Sequence, residues 1–257
     1  MRDPETGWIQ LHTGELFLVW SALGLGEPPA VLEIPHIGRT PDARADLAAA
    51  AGAALTERGL GSVAAPARDL ADLLSAVAGA EILLDMHVED GGPSLRGVGA
   101  LGASGDAAMV LAGPDARIGP VRETNLAAML LSALPQLPSG PGTSAAVRVS
   151  DFEEACAEGD RDGVAGFHAA LRYAGVRPPE VAVLTRAVTE RIGGGRIGAA
   201  TQSRGGRLLR VADTVSWVDT AQGRYVFRRA RDWVTVVPVH PARLCSMVEE
   251  LIDAAGG

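Results

Sequence analysis

"TERIGGGRIGAATQSRGGRLLRVADT", Thr189 to Thr214, decides how the chain is read, because Gly193, Gly195 and Gly198 meet the G-x-G-x-x-G spacing of a dinucleotide-binding loop. Such a loop holds pyrophosphate only where a strand leads into it and a helix follows, since the unpaired N–H groups at the helix start supply the binding. Here the order is reversed. A helical pattern, "PPEVAVLTRAVTERI", precedes the glycines, and a strand-like run follows from Arg196 to Val237. A helix C-terminus presents the wrong end of the dipole. The sequence therefore predicts no nucleotide cofactor. Gly193 to Gly195 are expected to stop the helix, where glycine reaches left-handed conformations without steric cost.

Outward from this stretch, Ser150 and Glu153 have capping-box spacing for a helix over "DFEEACAEG". A second helix is expected over "GVAGFHAALRYAGV", a third opens at Pro178 and Pro179, and a last one runs from Pro241 to Ala254. "PQLPSGPGTSAA", Pro135 to Ala146, has the composition of a linker. It divides a single domain into halves of about 1–135 and 147–257, with the linker at 136–146.

The first half follows a similar plan. Leu16, Val19, Trp20 and Leu23 mark one face of a helix, and a short strand "AVLEI" follows. Thr40 and Pro41 open an Ala-rich helix through Arg58, and Pro66 to Gly79 is another. From Glu81 short runs broken at Gly91-Gly92, Ser104-Gly105 and Pro114-Asp115 predict an antiparallel meander, closed by a helix over "RETNLAAMLLSALP".

An internal echo links the halves. An offset of 118 lays "SGDAAMVLAGPDARIGPVRETNLAAMLLSAL" over "QGRYVFRRARDWVTVVPVHPARLCSMVEELI" without a gap. Gly105 meets Gly223, Pro120 meets Pro238, Leu126 meets Leu244 and Met129 meets Met247, at a hairpin turn, a strand exit and a helix face. The inference is a pseudo-two-fold molecule whose two sets of strands join in one twisted sheet.

Composition limits the function. The 257 residues are 47% hydrophobic, enough for a substantial core. The net charge of −8 argues against nucleic acid and anionic lipid as partners. All 23 basic residues are arginine, which reads as coding bias. "MRDPETGWIQLHTGEL" lacks a signal-peptide pattern and no run is long and apolar enough to insert in a membrane, so a cytoplasmic location is expected. Cys156 and Cys245 form no C-x-x-C pair and read as free buried thiols.

Catalytic and metal signals are incomplete. Asp85 and His87 lie two apart on one strand face, half of a general-base arrangement, but no nucleophile elbow accompanies them. "EGDRDG", with Asp160 and Asp162, opens like a calcium loop but lacks the later ligands and reads as a solvated loop. His240, before Pro241, reads as a helix cap; His12, His36 and His168 have no ligand spacing and read as exposed or satisfied. The expectation is no enzyme, no cofactor and no metal, with a small hydrolase built on Asp85 and His87 as a weaker alternative.

The positive signal is a surface. In "DTVSWVDTAQGRYVFRRARDWVTVVPV", Trp217, Tyr225, Phe227 and Trp233 are interleaved with Arg224, Arg228, Arg229 and Arg231. Aromatic and arginine side chains dominate protein interfaces. The alternative is that the aromatics are sheet core and the arginines keep the other face soluble.

In order and spacing, the chain resembles the EspG family, cytosolic chaperones of ESX (type VII) secretion in actinobacteria. "LHTGELFLVWSALGLGEPPAVLEIPHIGRTPDAR", "GGGRIGA", "VSWVDTAQGRYVF" and "WVTVVPVHPARL" carry the likeness, which runs through almost the whole length. The resemblance implies an α+β fold: a pseudo-two-fold molecule with a central antiparallel β-sheet flanked by helical bundles. It implies no catalysis. It implies binding of the hydrophobic tip of secreted helical PE/PPE proteins, which are kept soluble and escorted to the secretion machinery; a WXG-like helical substrate is the alternative partner, and a regulatory or scaffold role the alternative function. Family contacts involve the central sheet, a loop between early strands and the C-terminal helical part. By order, that loop is Glu89 to Arg96, which adds Leu95 and Arg96 to Trp217, Arg224, Arg228, Arg229 and Arg231 as candidate partner-binding residues. A homodimer with joined sheets is left open.

Overall fold

The computed structural model describes residues 2–89, 94–103, 105–202 and 208–256. The strands are β1 (Ile9–His12), β2 (Ile82–Glu89), β3 (Leu95–Leu101), β4 (Ala107–Ala112), β5 (Asp115–Pro120), β6 (Ala145–Arg148), β7 (Arg191–Gln202), β8 (Leu208–Thr220), β9 (Gly223–Ala230) and β10 (Trp233–Pro238). They form one 10-stranded sheet in the order β1-β5-β4-β3-β2-β7-β8-β9-β10-β6. The helices are α1 (Thr13–Ala22), α2 (Pro41–Glu57), α3 (Arg68–Ala78), α4 (Leu126–Leu131), α5 (Val149–Tyr173), α6 (Pro178–Thr189) and α7 (Pro241–Gly256).

The strand order reads as a palindrome about the β2–β7 pair. That pair is antiparallel, with Asp85 opposite Gly198 and His87 opposite Arg196. A dyad relating two antiparallel neighbours runs perpendicular to the sheet and keeps each face to itself. The helices obey this. Buried residues of α4 and α7 share one apolar cluster with Leu84, Met86, Ile197 and Trp217. On the opposite face α1, α2 and α3 bury a cluster against β3, β4 and β5, and α5 and α6 bury another against β6, β9 and β10. The offset of 118 carries Asp115–Pro120 onto Trp233–Pro238, which are β5 and β10, and Leu126 onto Leu244, both buried. The echo in the sequence is the symmetry of the fold.

Several expectations are corrected. The glycine run does not stop a helix: α6 ends at Thr189, with the N–H of Glu190 donating to the Arg186 carbonyl at 3.0 Å, and Gly193 to Gly195 lie inside β7. Their smallness serves packing. A Cβ on Gly195 would sit 2.6 Å from the Trp217 ring, and one on Gly198 would sit 2.7 Å from both Asp85 Oδ1 and Arg210 Nη1. "AVLEI" is a 3-10 turn at Ala30–Leu32, flanked by Pro28, Pro29 and Pro35, which lack the N–H a strand ladder needs. "EGDRDG" is no loop; Asp160 and Asp162 belong to α5, which kinks at Gly163 with φ of 66°. That helix starts at Val149, and Glu153 faces Arg229 at 3.3 Å, so Ser150 and Glu153 make no capping box.

The supposed linker is packed. Gly140 donates to the Arg224 carbonyl at 3.1 Å, a Cβ there would overlap the Tyr225 ring, and Ala145–Arg148 form edge strand β6 beside β10. The β4–β5 turn is Gly113-Pro114, one residue earlier than expected, and the closing helix of the first half is reduced to α4 after a 3-10 turn at Glu123–Asn125. The expected turn at Gly91-Gly92, and Ser104 of the next, lie outside the described residues; Gly105 has φ of 110°.

The start of α6 gives a test. Glu180 accepts from the Arg177 N–H at 3.2 Å and from its guanidinium at 2.5 Å, and the guanidinium hydrogen bond holds the Glu180 carboxyl below its ordinary value. A depressed folded pKa stabilises above the unfolded pKa, and the gain is lost as pH falls through the folded value. Glu180→Ala is expected to cost about 1 kcal/mol at neutral pH in denaturant melts. The difference from wild type should vanish in acid below the folded pKa.

Candidate partner-binding face

Between the two helical lobes the sheet is uncovered. The alternation of strand side chains places Asp85, His87 and Glu89 of β2, Arg96 of β3, Arg196 of β7 and Ser216 of β8 on this open face, because residues directly opposite in antiparallel strands point the same way. Ion pairs tie most of the charges together. Asp85 pairs with Arg210 of β8, Arg96 with Glu33 and Glu89 with Arg191 at 3.4 Å, while Glu89 also shares a hydrogen bond with the His87 ring at 3.1 Å. Asp85 and His87 share a face as the sequence predicts, but the Asp85 carboxylate is taken by Arg210 and the His87 ring by Glu89.

Toward the second lobe the sheet forks. β8 pairs with β7 along its whole length, and the register slips between Gly198 and Ala200. Such a bulge bends and twists a strand. β9 pairs with β8 only between Ser216–Thr220 and Gly223–Phe227, although β8 begins at Leu208 and β9 continues to Ala230. Among the described residues, Leu208–Arg210, Thr214 and Val215 therefore have strand partners on the β7 side only, and Arg228–Ala230 on the β10 side only. The corresponding β3–β4 pair in the first half is matched from Leu95–Ala112 to Ala100–Ala107. The fork is where the two halves differ.

A groove of about 590 Å3 fills the fork on the open face, with Phe152 and Ala157 of α5 on one wall, Thr214 and Ser216 of β8 on the other and Phe227 below. Cys156 also borders it; burial pushes its thiol up, as it does that of Cys245, and both are free. Arg228 borders this groove and a smaller hollow of about 80 Å3 on the α7 side.

The sequence candidates separate accordingly. Arg228, Arg229 and Arg231 are exposed. Arg228 is at the fork and Arg229 pairs with Glu153, while Arg231 sits at φ 52° in the β9–β10 turn. Trp217 and Arg224 are corrected: at 2% and 3% exposure they present almost nothing to a partner. Both lie on the α7 face, because Trp217 alternates with Ser216 and Val218 along β8 and Arg224 is directly opposite Asp219. Arg224 donates from Nε to Asp219 Oδ1 at 2.6 Å and from Nη2 to Oδ2 at 2.9 Å, with its guanidinium 5.9 Å from the Trp217 ring. Leu95 and Arg96 belong to β3 and not to a loop: Leu95 packs on the α4–α7 cluster, and Arg96 donates to the Val31 carbonyl at 3.3 Å. The rest of the expected loop, residues 90–93, lies outside the described residues.

Sequence reasoning missed the floor of this face. Arg196 and Arg210 belong to the opening stretch but were passed over beside the glycines; the period-2 alternation with Gly194 and Gly198 was the available signal. His12 and His240 accept backbone N–H bonds at the starts of α1 and α7, at 3.1 and 3.2 Å. His168 Nε2 is buried without a partner among the described residues, against the expectation that it is exposed or satisfied. Among those residues no group of three or more His, Cys, Asp or Glu could hold a metal, and no helix is long and apolar enough to cross a membrane.

A palindromic sheet with helices packed across one face, and with an uncovered, groove-bearing strip between two lobes on the other, defines a two-lobed α+β protein. The EspG family model matches residues 12–250, and the chain belongs to the EspG family. Among solved structures it is similar to the type VII secretion system chaperone EspG5 of Mycobacterium tuberculosis, in complex with a PE25-PPE41 dimer, at 16% sequence identity and a TM-score of 0.75 over 96% of each chain. At that identity the likeness is one of fold. No curated protein matches the sequence.

Proposed function

We propose that this protein is a cytoplasmic chaperone of type VII (ESX) secretion that binds a helical substrate of PE/PPE type on the open face, keeps it soluble and escorts it to the secretion machinery. The observation that carries this reading is the family match across residues 12–250, which spans both lobes and the face between them. The EspG5 structure of the same fold holds a PE25-PPE41 dimer. The physics is compatible: an apolar helical tip aggregates unless covered, and a groove with apolar walls and a charged rim covers it reversibly. No catalytic role for Asp85 and His87 is part of this reading, since other groups occupy both.

Tagged purification from the native host, with mass spectrometry of near-stoichiometric partners, tests the proposal. A long helical PE/PPE-like protein is the expected companion. A WXG-like protein would change the substrate class, and a stable cytosolic complex without a secreted protein would favour a scaffold. Arg228→Glu is expected to weaken substrate binding by about tenfold or more through like-charge and shape mismatch at the fork. Its melting midpoint should stay unchanged, because the side chain is exposed. Unchanged affinity by titration calorimetry would remove the fork from the interface.

A further inference from the structure

Arg196 differs from the other arginines that β3, β7 and the start of β8 place around the centre of the open face. It lies in the middle of β7, exposed, directly opposite His87 on one side and Ser216 on the other. The neighbouring cations are committed: Arg210 to Asp85, Arg96 to Glu33, Arg191 to Glu89. Those pairs occupy the carboxylates of Asp85, Glu33 and Glu89. Among the described residues Arg196 has no hydrogen bond or ion pair. Gly194, two positions earlier on the same side, has no side chain to screen it. In a protein of net charge −8, a guanidinium without an ion pair among the described residues thus stands at the centre of the uncovered face, in a row with an imidazole and a hydroxyl.

We propose that Arg196 is the receptor for a carboxylate, a glutamate or aspartate side chain on the docked end of the partner. A guanidinium offers a planar fork of donors that matches a carboxylate bidentately, and the Ser216 hydroxyl beside it adds a further donor. The arrangement also discriminates. A partner that covers the face without an anion leaves a cation desolvated and unpaired, which is heavily penalised, so the same residue attracts the right surface and rejects a neutral or basic one. This inference rests on the reading of the open face as the substrate-binding face.

The test uses the full chain and the helical substrate pair that elutes with it from the native host, repurified as the probe. Affinities of wild type, Arg196→Gln, Arg196→Glu and the control Arg172→Gln, an exposed arginine in the last turn of α5, are measured by titration calorimetry at low and high salt. Arg196→Gln is expected to lose about tenfold or more in affinity and most of the salt dependence, and Arg196→Glu to lose more, with the control unchanged. Melting midpoints should not move, since Arg196 is exposed and makes no hydrogen bond or ion pair among the described residues. An arginine in place of one acidic residue at the pair's docked end should restore binding to Arg196→Glu. Equal or tighter binding by Arg196→Gln would overturn the proposal while leaving the chaperone reading in place. Recovery of no helical pair with the wild-type chain would overturn both.

Discussion

Asp219→Ala is expected to destabilise the protein by about 3–5 kcal/mol, because it leaves the Arg224 guanidinium buried and unpaired. The two residues face each other across β8 and β9, with side chains 5% and 4% exposed, and among the described residues the guanidinium otherwise has one 3.3 Å hydrogen bond to the Pro135 carbonyl and the Trp217 ring. The pair also anchors the segment between the halves: the backbone of Arg224 donates to Pro138 at 2.9 Å and accepts from Gly140 at 3.1 Å. Chemical denaturation with circular dichroism measures the loss. Arg224→Lys should recover only part of it, since an ammonium cannot reproduce the two-bond fork. A change under about 1 kcal/mol for Asp219→Ala would mean that water reaches the site and that the pair is effectively exposed.

Trp217→Ala is expected to cost about 3–5 kcal/mol through lost burial and the cavity left between β7, β8 and α7. The ring occupies space reserved by Gly195, whose absent Cβ would lie 2.6 Å from it. Its Nε1 has no hydrogen-bond partner among the described residues, so the contribution is one of packing. Gly195→Val should be destabilising by overpacking, about 1–3 kcal/mol, with part of that penalty relieved when Trp217→Ala is also present. Strict additivity in the double-mutant cycle would show that the ring is not what the glycine makes room for. For both residues the readout separates core from interface: the Trp217→Ala protein that remains folded should bind substrate with wild-type affinity.

These two residues show where sequence reading stops. The pattern around Trp217 and Arg224 states that aromatic and basic groups alternate, but a strand in a sheet covered by helices on both sides of one lobe has no single outward face. Which parity meets solvent depends on where α7, α5 and α6 lie. Arg228 and Arg229 come five and six residues after Gly223, the glycine that opens β9, in the same run as the buried Arg224. They are exposed because β9 has by then left β8 and, among the described residues, no strand covers that edge. The glycine run was misread for a related reason. Locally, glycine is permissive both as a helix stop and in a strand, and only the tertiary neighbours, a tryptophan ring and an ion pair, decide that these positions require the absence of a side chain.

The sequence by itself determined the helices that carry strong caps and apolar periodicity, the meander of the first half, and the duplication at an offset of 118 that becomes the palindrome of the sheet. Those features are local, or repeat a local pattern, and hydrophobic spacing and capping chemistry suffice to specify them. Only the tertiary structure decided the rest: that four-residue β1 and β6 close the two edges, that the proline-rich connection packs on Tyr225, that β8 and β9 part to open a groove, and that Arg196 is left without a counterion among the described residues. Each of these depends on residues far apart in the chain meeting across a sheet, where the pairing partner and not the residue's own neighbours sets burial, register and charge balance.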